Sequence, residues 1–279
     1  MKRVLSIQDI SCVGKCSLTV ALPVISAAGI ETAILPTTIL SMHTAFKGFT
    51  FRDLTDDARK IIDHWKAQNI FFDGISSGYL GTVGQIELAE QICDEFYRPG
   101  VLRFVDPAMG DNGQLYVGFD RAFALRMSKL CGKADIIDPN LTEAAFMLGM
   151  DYPGNGYDEK FIRELLRKLC GLGCRTAVLT GVSFEKARCG VAAYDSETGG
   201  YCTCFREHLP GAFHGTGDVF SSALFAALMA EQPLETALAT AVDYTVESIR
   251  LTIAYPDHNW YGVDFESAIP LLLKKLGKI

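Results

Sequence analysis

The chain has no long apolar run. No stretch approaches the roughly 18 uninterrupted apolar residues of a membrane span, so a transmembrane helix is excluded. The apolar residues after Met1-Lys2-Arg3 are too few for a secretory signal. There is no excess of basic charge: 26 Lys and Arg stand against 33 Asp and Glu, a net charge of −7. An acidic chain has no general attraction for nucleic acid or anionic lipid. An anionic ligand must then be held locally, by backbone amides, a metal ion or a few basic side chains. There is no Cys-x-x-Cys pair and no histidine pair at zinc-finger spacing. The nine cysteines include Cys12-x3-Cys16, Cys170-x3-Cys174 and Cys202-x-Cys204. They read as free thiols of a reducing cytoplasm, not as a zinc site. Repeats, low-complexity tracts and linkers are also missing, so residues 1–279 read as a single domain. With 49% hydrophobic and 21% charged residues, disorder, collagen and coiled coil are excluded.

What is present is an alternation of strand-like and helix-like segments. Short apolar runs at Val4–Ile7, Thr32–Leu35, Ile70–Phe72, Leu102–Val105, Asp135–Ile137 and Ala177–Leu179 read as strands buried on both faces. Helical patterns cover Ser17–Ala28, Asp56–Gln68, Val83–Phe96, Asp120–Lys129, Leu141–Leu148 and Glu159–Leu172. Three more follow at Asp218–Ala230, Leu234–Arg250 and Phe265–Leu276. Gly190–Tyr194 and Tyr201–Phe205 flank a turn-rich segment and read as a hairpin. This order predicts an α/β three-layer fold: a mostly parallel sheet, helices on both faces and a late antiparallel hairpin. Ligands of such sheets bind beyond the carboxyl ends of the strands. Gln8-Asp9, Thr37-Thr38, Asp106, Asn140 and Thr180 occupy those ends and suit a polar ligand with a metal.

Three motifs carry chemistry. His214-Gly215-Thr216-Gly217-Asp218 runs directly into an apolar helix. Its glycines let the backbone approach a ligand, and its amides at a helix N-terminus favour an anion. Asp218 there can take the proton of a hydroxyl attacking a phosphoryl group. The transition state of that transfer is loose, so a weakly basic carboxylate suffices. The alternative is a tight turn followed by an ordinary first-turn acid. Asp106-Pro107-Ala108-Met109-Gly110-Asp111 and Asp138-Pro139-Asn140-Leu141-Thr142-Glu143 each follow a strand. Asp106, Asn140 and Glu143 bear oxygens that suit Mg²⁺, directly or through water. A loop acid and a helix-start acid are the plainer readings of Asp106 and Glu143.

Two other patterns have less behind them. Gly14-Lys15-Cys16-Ser17 looks like the end of a phosphate loop, but Asp9 stands where the first glycine belongs. Gly74-Ile75-Ser76-Ser77-Gly78 fits a hydrolase elbow, yet the next helix starts only near Thr82. Of the five histidines, His43 and His214 adjoin other motifs.

In order along nearly the whole chain, the segments resemble the pyridoxal kinase family of the ribokinase-like superfamily. They are Val4-Leu5-Ser6-Ile7-Gln8, Leu40-Ser41-Met42-His43-Thr44, Ser77-Gly78-Tyr79-Leu80-Gly81, Asp106 to Asp111, Pro139 to Glu143 and Gly215 to Asp218. The resemblance implies ATP-dependent phosphorylation of the 5′-hydroxymethyl group of a vitamin B6 vitamer. It makes Asp218 the base and Gly215, Thr216 and Gly217 the anion hole. It sets Asp106, Asn140 and Glu143 near the ATP phosphates and Mg²⁺, with Asp106 and Glu143 toward the metal. Thr180 and Tyr116 match ATP-contacting positions, and His43, Thr44 and Tyr79 match residues around the pyridine ring. It further implies a homodimer, and leaves room for a monovalent cation such as K⁺.

The chain departs from the family pattern at Asp9, where a serine commonly touches the pyridine. A carboxylate there suits the ammonium of pyridoxamine or a protonated ring nitrogen; the bland alternative is a turn cap. Three other readings stand beside the B6 kinase. One is a kinase of hydroxymethylpyrimidine, a branch that often carries cysteine in place of Asp218. The others are a kinase of another small alcohol, such as a sugar, and a non-catalytic binder of vitamer or nucleotide on the same fold.

Overall fold

The computed structural model describes residues 1–279. In chain order the elements begin with β1 (Arg3–Val13), α1 (Leu18–Ala27), β2 (Glu31–Met42), β3 (Phe51–Asp53), α2 (Thr55–Ala67), β4 (Gly74–Ser77) and α3 (Val83–Glu95). There follow β5 (Leu102–Val105), β6 (Gly110–Asp111), β7 (Gln114–Leu115), α4 (Arg121–Cys131), β8 (Ile136–Ile137), α5 (Leu141–Met147) and α6 (Glu159–Cys170). The chain ends with β9 (Thr176–Glu185), β10 (Arg188–Asp195), β11 (Tyr201–Glu207), α7 (Thr216–Met229), α8 (Leu234–Ile253) and α9 (Phe265–Lys275). Nine strands pair in the order β11-β10-β9-β8-β5-β4-β1-β2-β3, and β6 and β7 form a separate ribbon. The pairs β1–β2, β5–β8 and β8–β9 are parallel, whereas β2–β3, β9–β10 and β10–β11 are antiparallel. The fold is α/β with a mostly parallel sheet, as the alternating pattern predicts. No helix is long and apolar enough to cross a membrane. All nine cysteines are free thiols; Cys12 is exposed, and Cys93, Cys131, Cys170, Cys174 and Cys204 are buried.

The chain divides into two compact units, Met1–Ser76 with Leu209–Ile279, and Ser77–His208. In unit 1, Val4, Leu5 and Ile7 of β1 are fully buried. A strand with such a run is covered on both faces. α7 is buried along Val219–Ala227. Its alanines and serines let neighbouring backbones come close. Gly74 of β4 serves the same end, since a Cβ there would meet Met229 Sδ at 2.7 Å and the Phe225 ring. In unit 2, α6 has the amphipathic spacing of a one-sided helix. Ile162, Leu165, Leu166 and Leu169 are buried, and Asp158 caps its start by accepting the Phe161 N–H at 2.8 Å.

Several boundaries differ from the sequence reading. Ile70–Phe72 is not a strand; pairing begins at Gly74. Phe72 is fully buried and meets the edge of Trp65 at 5.7 Å, and Phe71 is exposed, so the run is a connector with one anchored ring. Asp73 closes it, donating its N–H to the Arg3 carbonyl at 2.7 Å and accepting the Arg3 N–H at 2.8 Å. β1 and β2 run well past the apolar cores that signal them, through Asp9 and Thr38 to Val13 and Met42. The segment Gly110–Leu115 is a small hairpin. Asn112 and Gly113 at its tip both have positive φ, 51° and 77°, the signature of a two-residue type I′ turn.

Among the contacts that fasten α9 to α8 is a buried hydrogen bond: Tyr244, fully buried, donates its hydroxyl to the Phe265 carbonyl at 2.8 Å. Tyr244→Phe is expected to lower stability by about 1 kcal/mol with an unchanged urea m-value, read from the shift of the urea midpoint.

Candidate active site

Unit 1 carries the first group of candidate residues. The register of β1 against β2 breaks between Gln8 and Ile10: Gln8 pairs with Pro36, but Ile10 pairs with Ile39. β2 therefore has one residue more than β1 in this interval, and Asp9 stands at the bulge. Bulges re-aim side chains and recur beside functional sites. The Asp9 carboxylate is only 3% exposed and accepts the Ser11 hydroxyl at 3.0 Å. Burial raises its pKa, against the lowering effect of hydrogen bonds from the Ser17 and Ser11 hydroxyls. Ser17 itself has φ 49° and ψ −133°, a conformation that costs a non-glycine residue free energy. Cys16 feels the charge of two acids. Its thiol is pushed far up by burial, then by Asp218, then by Asp9.

Gly215 precedes α7 in the left-handed region, at φ 77°. A Cβ there would collide with the Lys15 carbonyl, so only glycine fits. Thr216 opens the helix and donates its hydroxyl to the Phe213 carbonyl at 3.2 Å. The N-cap glycine has no side chain to cap the first turn, and a Cβ at Gly217 would meet nothing within 4 Å. Asp218 sits in that turn, partly exposed. A helix N-terminus of this kind favours an anion, and here a carboxylate stands in the same turn. Lys15 does not serve it as a phosphate-loop lysine would. Its ammonium pairs with Glu266 at 2.7 Å and lies over the Phe265 ring at 5.6 Å.

His43 follows β2 and is buried, whereas Thr44 is exposed. The His43 ring packs against Gly14, where a Cβ would meet Cδ2 at 2.6 Å. Nδ1 accepts the Ala45 N–H at 3.2 Å, which leaves Nε2–H to donate to the Tyr261 carbonyl at 3.2 Å. His43 is thereby a neutral latch between two loops. The His214 ring lies 5.2 Å away.

Unit 2 gathers the second group. Asp106 ends β5 and donates its N–H to the Ser77 carbonyl at 2.9 Å. Asn140 and Glu143 form a capping box on α5. Asn140 Oδ1 accepts the N–H groups of Thr142 and Glu143, and Glu143 Oε2 accepts the Asn140 N–H at 2.8 Å. The same two side chains reach the Asp106–Asp111 loop. Glu143 Oε1 accepts the Met109 N–H at 3.1 Å, and Asn140 Nδ2 donates to the Gly110 carbonyl at 2.8 Å. Thr142 accepts the Gly113 N–H at 2.9 Å. Asn140 also bridges to Thr180, and the Tyr116 N–H reaches the Met109 carbonyl at 2.9 Å. Glu143 is fully buried and its pKa stands well above the ordinary value, first through burial and then through Asp106; backbone N–H groups oppose the rise. Two like charges that repel in this way are relieved by a divalent cation. No three His, Cys, Asp or Glu side chains form a metal cluster. A pair of carboxylates is the kind of donor set that Mg²⁺ uses when phosphates and water complete its shell.

The structure therefore brings Asp9, His43, Thr44 and Gly215–Asp218 together in one unit, and Asp106, Tyr116, Asn140, Glu143 and Thr180 in the other. Tyr79 belongs to unit 2, where its ring meets Phe119 at 5.6 Å. Ser76 is a buried strand residue whose hydroxyl points at the Leu5 carbonyl, 3.4 Å away, and α3 starts only at Val83, so there is no nucleophile elbow. Sequence reasoning missed Ser11, Cys16, Ser17, Phe46 and Trp260. Cys16 and Ser17 stood in the noted Gly14-Lys15-Cys16-Ser17 pattern, whose spacing said nothing of carboxylates.

A family model described as phosphomethylpyrimidine kinase matches residues 37–261. A pyridoxine kinase of Bacillus subtilis is 32% identical over 203 residues, 71% of either chain. A candidate phosphomethylpyrimidine kinase of Bacteroides thetaiotaomicron, crystallised with pyridoxal, is 36% identical with a TM-score of 0.93, over 97% of this chain and 95% of that one. Pyridoxal kinase from Lactobacillus plantarum is 32% identical with a TM-score of 0.90, over 98% and 97%. The fold and these likenesses define an α/β kinase of the ribokinase-like superfamily. The chain belongs to its phosphomethylpyrimidine kinase family, in the pyridoxal kinase branch.

The His43 latch predicts a pH dependence. Burial, then His214, hold its imidazole below the ordinary 6.5, against the opposing Tyr261 carbonyl. As pH falls, the unfolded chain takes the proton first. The stability His43 lends is complete above 6.5 and is lost as pH drops through its lower folded value. Between about pH 7.5 and pH 5, the urea midpoint of the wild type should fall more steeply than that of His43→Gln.

Proposed function

We propose that the protein transfers the γ-phosphoryl group of ATP to the 5′-hydroxymethyl group of a vitamin B6 vitamer: pyridoxamine, pyridoxal or pyridoxine. The observation that carries this reading is Asp218, in the first turn of α7 behind a left-handed Gly215 that has no side chain to cap the helix. A primary alcohol is a weak nucleophile at neutral pH. Asp218 accepts its proton as the new O–P bond forms and the bond to the ADP oxygen breaks. The amides of Gly215, Thr216 and Gly217 hold the charge that gathers on the transferred group. In unit 2, Asp106 and Glu143 would hold Mg²⁺, which gathers the nucleotide phosphates and offsets their charge. Asn140, Thr180 and Tyr116 hold the nucleotide, and Tyr79 supplies an aromatic face for the acceptor. His43 and Thr44 border the acceptor in unit 1. The assembly is a homodimer, as the resemblance implies.

Asp9 sets the choice of vitamer in this reading. Its buried carboxylate is met by two hydroxyls. A cationic group on the ligand offsets a buried negative charge far better than a hydroxyl does. Asp9 therefore favours pyridoxamine, with its ammonium, over pyridoxal. The names of the solved relatives support the vitamer class. The description of the family itself supports a second reading, the same transfer to hydroxymethylpyrimidine.

Two outcomes are expected from ADP release measured with Mg-ATP on pyridoxal, pyridoxamine, pyridoxine and hydroxymethylpyrimidine. Asp218→Ala should lower kcat on the preferred vitamer by about a hundredfold or more. Asp9→Ser should shrink the ratio of kcat/KM for pyridoxamine over pyridoxal, and an unchanged ratio removes the role given to Asp9. Turnover of the pyrimidine alone selects the second reading. Turnover of none of the four removes the substrate assignment.

A further inference from the structure

Three loops of unit 1 meet in a cluster of rings beside Gly215. The loop after β2 brings His43 and Phe46, the segment before α7 brings His214, and the loop after α8 brings Trp260 and Tyr261. Trp260 lies 4.6 Å from Phe46 and meets His43 and His214 nearly edge-on, at 5.9 and 5.8 Å. The loop that carries it is fastened on its far side. The Tyr261 carbonyl accepts the His43 Nε2–H, and Gly262 makes room for the Lys15 side chain. Trp260 is thus held in place and yet is 53% exposed. An indole of that size on a pinned surface loop, among other rings, is the mark of a recognition surface.

The chemistry of the cluster narrows its ligand. Both nitrogens of His43 are spent inside the protein, so that ring offers only faces and edges. Phe46 has no hydrogen-bonding group at all. Such a wall has little to offer a polyhydroxylated acceptor, whose hydroxyls need partners. It suits a flat ring, through offset or edge-on contacts. Distance along the chain adds a second argument: His214 is the residue immediately before Gly215. An acceptor hydroxyl one carbon removed from its ring can reach the Gly215–Asp218 turn only if the ring lies beside that turn, and the aromatic wall begins there.

We infer that Trp260, with His214 and Phe46, is the surface on which the heteroaromatic ring of the acceptor stacks. The inference rests on the proposed acceptor class and adds a specificity-determining residue to it. Sequence reasoning had no access to Trp260, which stands in a polar loop 217 residues from His43 (260 − 43).

The test uses the indole as its own reporter. The chain has two tryptophans, and Trp65, on α2, packs against Phe72, so Trp65→Phe leaves Trp260 as the sole tryptophan emitter. Pyridoxamine, titrated without nucleotide, should change that emission saturably. Trp260→Ala should raise KM for the vitamer about tenfold and leave KM for ATP unchanged, while Trp260→Phe recovers most of the loss. Melting temperatures of the two variants near the wild-type value show that the KM effect is not unfolding. If the wild type phosphorylates a B6 vitamer, but Trp260→Ala keeps its vitamer KM and the emission is silent, the inference is overturned and the proposed function stands. If no vitamer is phosphorylated, the proposed function falls. The emission titration, repeated with hydroxymethylpyrimidine, then decides the inference: a saturable change supports ring stacking, and silence overturns it. Emission that responds to protein concentration and to neither ring shows that a second copy covers the wall, which also overturns it.

Discussion

A side chain at residue 215 would have to occupy the position of the Lys15 carbonyl. That exclusion organises unit 1. It presses the loop between β1 and α1 against the start of α7, and it requires a residue that accepts positive φ. The same loop is hemmed in twice more. Gly14 admits the His43 ring, and Gly262 admits the Lys15 side chain, whose ammonium is tied to Glu266. Three glycines far apart in sequence thus let one loop serve as the common support of His43, the Gly215–Asp218 turn and the Trp260 loop. A methyl group at any of them pushes a different part of the site out of place.

Unit 2 solves a different problem with fewer residues. A capping box ordinarily satisfies the orphan amides of one helix. Here Asn140 and Glu143 do that and also anchor the loop after β5, through Met109 and Gly110. The arrangement has a cost. Glu143 is buried near Asp106, and the mutual repulsion of the two acids adds to the desolvation of Glu143. A cation shared by the two acids would relieve that repulsion. A carboxylate can therefore be a helix-start acid and a metal neighbour at once, and the two readings of Glu143 do not exclude each other.

Much of the fold could be read from local pattern. Leu102–Val105 is a strand with the bounds its apolar run suggests, and the late hairpin pairs Ala192 with Thr203 between the segments that flank its turn. Helices with caps, such as α6 behind Asp158, were equally plain. Ile70–Phe72 misled because a three-residue apolar run is the same signal whether it pairs or merely anchors one ring. The Asn112-Gly113 hairpin was legible in principle, since that dipeptide is the strongest short-range turn signal. It was hidden by strands of only two residues each.

The candidate site divides along the same line. Asn140 and Glu143 announce themselves on the short turn between β8 and α5, Asp106 directly behind β5 and Asp218 in the first turn of α7, each in a compact motif where neighbours in sequence are neighbours in space. Propensity, capping and periodicity act over a few residues, and within that range the sequence alone was sufficient. The aim of Asp9 at a bulge, the thiol of Cys16 that feels both Asp9 and Asp218, the spent nitrogens of His43 and the exposed face of Trp260 were decided only by tertiary packing. His43 and Tyr261 are 218 residues apart. What brings them into hydrogen-bonding contact is the close approach of separate loops, and no local signal carries that information.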